Sequence, residues 1–192
     1  CDAILQAWYP GQAGGLAVAD VLFGDYNPGG KLPVTFYKNT AQLPDFNDYS
    51  MKGRTYRYLK EAPLFPFGYG LSYTTFGISN GKLDNTSVKT GTSVTFTARV
   101  ENTGKRDGAE VLQVYIHKTG DTDGPQKSLR GFRRVELKAG ESRDVSIELN
   151  PEAFEFFDPS TNTMRIMPGK YEIYYGNSSD TPLRNRLEVE LL

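Results

Sequence analysis

The sequence contains one cysteine and one histidine in 192 residues. A lone Cys1 excludes an internal disulfide, and with His117 as the only imidazole no cysteine or histidine cluster is available for zinc. No metal site is expected. No apolar run is long enough to span a bilayer, and the N-terminus lacks both an initiator Met and the basic-then-apolar layout of a signal peptide. An excess of either charge is missing too, since 22 basic and 23 acidic residues leave a formal net charge of −1. Binding nucleic acid requires a basic excess gathered on one face, so no nucleic-acid partner is expected. What is present is 38% hydrophobic and 23% charged, which is the composition of a globular chain. The length allows one large domain, or one domain and part of another.

Residues 3–9, AILQAWY, form a short apolar run closed by Pro10 and Gly11, which reads as a buried strand. After the loop GQAGG, the stretch LAVADVLF is expected to form a helix, with Leu16, Val18, Ala19 and Leu22 available for packing and Gly24 as its C-cap. One strand and one helix cannot bury their own apolar faces. Residues 1–38 are therefore expected to be a remnant of an α/β domain, and the opening CDAILQAWYP is expected to belong to a fragment or a processed chain. Residues 39–76 have little periodicity and much Pro, Gly and Tyr, and so read as a linker or interdomain strap.

From residue 77 to 192 the texture is that of strands. SVTFTARVE alternates Val94, Phe96, Ala98 and Val100 with polar residues, and EVLQVYIH does so with Leu112, Val114 and Ile116. LRGFRRV, SRDVSIEL, GKYEIYYG and RLEVELL follow, with FEFFD and TMRIM as shorter candidates. Seven or so strands at such intervals imply a mainly β fold, an immunoglobulin-like or fibronectin type III-like β-sandwich. The Cys…Trp…Cys pattern of antibody domains is missing, and Tyr171 is placed to form a tyrosine corner.

Most candidate chemistry reduces to loops. GQAGG and GDYNPGGK depart from the spacing of phosphate cradles, Asp121 and Asp123 lack the remaining ligands of a calcium loop, and His117 has no triad partner beside it. Glycoside hydrolysis needs two carboxyl groups, but neither Glu152 with Glu155 nor Asp45 with Asp48 carries a sign of an enclosed pocket, so no catalytic residue is assigned. The segment MKGRTYRYLKEAPLFPFGYGLSYTTF remains, with Arg54, Tyr56, Arg57 and Tyr58 at its centre. These residue types suit sugar stacking, and they equally suit an interdomain seam, where Tyr and Arg are enriched. The seam is the preferred reading of the two.

AWYPGQAGGLAVADVLFGDYNPGGKLPVTFY, from Ala7 to Tyr37, resembles the end of the α/β sandwich domain of family 3 glycoside hydrolases, the β-glucosidase and β-xylosidase family. GRTYRY and PLFPFGYGLSYTTF resemble that family's approach to a C-terminal fibronectin type III-like domain. The resemblance implies a parent enzyme with an N-terminal (β/α)₈ barrel carrying a catalytic Asp, and an α/β sandwich carrying an acid/base Glu upstream of the motif found here. Neither motif matches a position in this sequence. The implied activity is retaining, exo-acting hydrolysis of terminal β-linked sugars without a cofactor, secreted or periplasmic, on a β-linked oligosaccharide or aryl glycoside. The implied partners of this chain are the missing barrel and α/β sandwich. The alternative is a stand-alone carbohydrate-binding or adhesion module.

Overall fold

The computed structural model describes residues 1–182 and 185–192. Its centre is a β-sandwich. One sheet has three strands in the order β1 (Phe76–Leu83), β3 (Val94–Asn102), β6 (Ser142–Leu149). The other has five, in the order β2 (Ser87–Val88), β10 (Arg186–Leu191), β9 (Gly169–Gly176), β4 (Gly108–Lys118), β5 (Ser128–Leu137). Pairings are antiparallel except for the short β2–β10 contact. A hairpin of β7 (Glu155–Asp158) and β8 (Thr163–Ile166) closes one end after a 3₁₀ turn at Pro151–Phe154.

The period-2 pattern explains the core. Val94, Phe96, Ala98 and Val100 on β3 are fully buried, and they share a core cluster with Leu112, Val114 and Ile116 of β4, also fully buried. Each of these side chains other than that of Ala98 contributes about 1.5–3 kcal/mol of transfer free energy on burial. Tyr171 is fully buried and its hydroxyl donates to the Met167 carbonyl at 2.6 Å, which makes the expected tyrosine corner. Strand β1 does not alternate, because Asn80 takes a positive φ and the register shifts between Ser79 and Lys82. Gly81 lies against the Tyr175 ring, where a Cβ would come within 2.3 Å, and its N–H donates to the Tyr175 hydroxyl.

Before the sandwich, α1 (Gly14–Phe23) forms as expected and ends on Gly24 at φ 83. Residues 3–9 form no strand, which corrects the reading from the apolar run. A strand needs a neighbour for its backbone groups, and none of the described strands pairs with this segment. Two side chains fasten α1 to the sandwich. Asn27 donates to the Asp107 carbonyl at 2.8 Å and accepts from the Tyr73 N–H, while the Tyr73 hydroxyl donates to the Val21 carbonyl. Among the described residues no helix is long and apolar enough to cross a membrane.

Candidate functional site

Strand β4 is covered on both faces. Its inner face meets the core, while Glu110, Gln113 and Tyr115, also buried, lie under residues 29–70. The aromatic segment is tied to the five-stranded sheet and its loops at Tyr56, Arg57, Leu59, Phe67 and Gly68.

The short helix α2 (Thr55–Tyr58) is the centre of that contact. The Tyr56 ring stacks on Phe67 with centroids 4.4 Å apart and meets Tyr115 edge-on at 5.7 Å, both favoured aromatic geometries. The Tyr56 hydroxyl accepts from the Leu129 N–H at 3.0 Å, and the Tyr56 N–H donates to Thr35 Oγ1 at 2.9 Å. The Gln126 N–H donates to the Arg57 carbonyl at 2.7 Å, and the Ser179 N–H donates to the Phe67 carbonyl at 2.8 Å. Thr55 takes φ 56, an uncommon conformation for a β-branched residue, with its N–H donating to the Tyr37 hydroxyl.

Beneath the strap lies a polar network. Gln113 Nε2 donates to the Gly68 carbonyl at 3.1 Å and to the Asn177 carbonyl at 2.8 Å, and Gln113 Oε1 accepts from the Tyr115 hydroxyl at 2.5 Å. Burial pushes the Tyr115 phenol well above its ordinary pKa. Gly68 has φ 78, and a Cβ there would sit 2.1 Å from Gln113 Oε1, so only glycine fits. Lys31 pairs with Glu110 at 2.6 Å, with side chains only 12% and 5% exposed. Further bonds hold the pair, since Lys31 also donates to the Gly70 carbonyl and Glu110 accepts from Asn177 Nδ2 and from the Val111 N–H.

The four residues singled out from the sequence are all half-buried, and they do not converge on one pocket. Arg54 turns back onto its own loop, donating to the Ser50 and Asp48 carbonyls. Tyr56 is stacked on Phe67 and meets Tyr115 edge-on, so its ring is engaged within the chain. The Arg57 guanidinium lies 5.7 Å from the Tyr58 ring centroid. His117, read as a surface side chain, is half-buried, with Nδ1 3.2 Å from the Pro125 carbonyl. Asp45 and Asp48 are exposed, and hydrogen bonds from Ser50 hold the Asp48 carboxyl below its usual range, the reverse of what a general acid needs. Thr35, Phe67, Gln113, Tyr115, Gln126 and Lys127 were missed by the sequence reading. One signal pointed to Tyr115: it sits between Val114 and Ile116, and three consecutive apolar residues mark a strand covered on both faces.

The outer side of the same region is exposed. Of the twenty exposed large hydrophobic side chains among the described residues, sixteen lie in residues 1–76. They include Tyr9 at 100%, Phe23 at 84%, Phe46 at 90% and Tyr49 at 89% exposed. Scattered exposed apolar residues are ordinary, so what stands out is their concentration in residues 1–76.

Residues 1–73 match the glycosyl hydrolase family 3 C-terminal domain, and residues 110–179 match a fibronectin type III-like domain. A xylan 1,4-β-xylosidase of Xylanibacter ruminicola is 61% identical over 93% of this chain and 20% of its own length. A periplasmic β-glucosidase of Salmonella typhimurium is 42% identical over 93% of this chain and 25% of its own. A β-glucosidase from Streptomyces venezuelae, solved in complex with D-glucose, superposes with a TM-score of 0.83 at 34% identity, covering 96% of this chain and 26% of that one. The chain thus spans about a fifth to a quarter of the length of these relatives.

Proposed function

We propose, for a chain that belongs to glycoside hydrolase family 3, that it is the C-terminal portion of a retaining, exo-acting β-glycosidase and serves there as a buttress. In this reading the (β/α)₈ barrel and α/β sandwich of the parent enzyme carry the catalytic carboxyl groups, and the terminal β-linked glucose or xylose is the glycosyl group passed to the nucleophile and then to water as the aglycone leaves. Residues 1–38 complete the α/β sandwich domain, residues 39–76 are the strap between domains, and residues 77–192 form the terminal module. The parent acts in the periplasm or outside the cell, a reading supported by the name of the Salmonella relative.

The observation that carries this reading is the polarity of residues 1–76. Their inner side is bonded to the sandwich through Tyr56, Phe67 and Lys31, while their outer side presents most of the exposed apolar side chains of the described residues. Stand-alone modules seldom leave that much apolar surface open. The preceding domains of the parent would bury it. Assay on p-nitrophenyl β-glucoside and β-xyloside tests the assignment. The parent-length enzyme hydrolyses at least one of them, and this chain alone gives no turnover above buffer. Turnover by the chain alone would place catalytic groups within it and overturn the reading.

A further inference from the structure

A groove of about 400 Å³ separates the strap from the β4–β5 and β9–β10 connections, toward the lower end of the range that small-molecule sites occupy. Its apolar lining comes from Leu59, Pro63, Leu64 and Pro66. Its charged lining is balanced, with Lys60 and Lys127 against Glu61 and Asp180. An ion of either sign entering the groove would meet like charge as well as opposite charge.

The polar groups are only partly used. Gln126 Nε2 donates to the Leu59 carbonyl at 3.0 Å, which leaves Gln126 Oε1 as an acceptor. Thr35 Oγ1 accepts from the Tyr56 N–H, which leaves its hydroxyl proton to donate. Lys127 gives one N–H to the Ser179 carbonyl and lies 5.6 Å from the Tyr174 ring centroid. Although both line the groove, Lys127 and Asp180 form no ion pair. Burial lowers the Lys127 pKa, the sign of an ammonium short of solvation. The groove therefore sets unused donors and unused acceptors beside an apolar surface, with no net charge. A pyranose has the matching pattern, with C–H faces for the prolines and leucines and a rim of hydroxyls that each donate and accept.

We propose that this groove binds a neutral pyranoside, with Lys127 and Asp180 hydrogen-bonding adjacent hydroxyls and Gln126 and Thr35 completing the rim. The claim rests on the groove and not on the assignment above, so the two fail separately. An open site with few contacts binds weakly, with a Kd of about 1–10 mM.

The test is titration of the ¹⁵N-labelled chain with methyl β-D-xylopyranoside and methyl β-D-glucopyranoside, followed through backbone amide shifts. Saturable shifts at Gln126, Lys127 and Asp180 are expected for at least one of the two sugars. Asp180→Asn, at an exposed position, should weaken binding about tenfold while leaving the rest of the spectrum unchanged. Lys127→Met should do the same, and its melting curve reports whether the fold survives. The proposal is overturned if these amides show no saturable shift, if Asp180→Asn binds as the unaltered chain does, or if sodium glucuronate binds more tightly than both neutral sugars.

Discussion

Lys31 shows what a single side chain can do in this molecule. It lies in a glycine-rich turn that imitates a phosphate-binding loop, yet its ammonium is spent on Glu110 and the Gly70 carbonyl. Removing one member of a buried pair leaves an uncompensated charge, which costs about 3–5 kcal/mol. Lys31→Met should therefore lower stability by about 3 kcal/mol, and Lys31→Met with Glu110→Gln should lower it less than the single change does. Urea unfolding of the unaltered chain, the two single variants and the double variant measures this, and a double loss equal to the sum of the two single losses would mean that the pair is not coupled. Tyr174 provides a second residue-scale expectation. Burial, reinforced by the bond its hydroxyl donates to Glu172 at 2.5 Å, pushes its phenol up to about 12. The folded state then keeps a proton that the unfolded chain loses near its ordinary pKa of about 10. The stabilisation is complete below about pH 10 and fades as pH rises toward 12. Tyr174→Phe should flatten the decline in melting temperature across that window, and an unchanged slope would remove Tyr174 as its source.

At the scale of elements, the sandwich was legible in the sequence wherever one face of a strand meets the core and the other meets solvent. β3 and β6 show this alternation directly, and GKYEIYYG gave both a strand and the tyrosine corner. β1 was not legible, because Asn80 and Gly81 break its pattern at a bulge whose reason, the Tyr175 ring, lies far along the chain. Residues 3–9 erred in the other direction, since apolar content alone does not supply a strand with a neighbour. The segment at residues 51–76 stands out by composition, but its geometry was not legible. Nothing local in GRTYRY reveals that Tyr56 stacks on Phe67 and meets Tyr115 edge-on, and Gln126, Lys127 and Asp180 read as ordinary polar loop residues. The strap functions as a cover for the outer face of β4. A protein restricted to residues 76–192 would uncover Gln113 and Tyr115, and it should melt at lower temperature and bind the dye ANS. Equal melting temperatures with and without residues 1–75 would mean that the strap contributes nothing to the sandwich.

At the scale of the whole molecule, residues 1–76 are an asymmetric layer, bonded inward to the sandwich and apolar outward. The family resemblance read from AWYPGQAGG onward agrees with the two domain matches, and in the proposed function the outward side would meet the preceding domains of a larger enzyme. Hydroxyl-radical footprinting of this chain and of the parent-length enzyme tests that purpose most directly. Tyr9, Phe23, Phe46 and Tyr49 should label readily in the chain and become protected in the longer protein, while the exposed Phe132 and Phe157 of the sandwich label equally in both. Equal labelling of all six side chains in the two proteins would contradict the account.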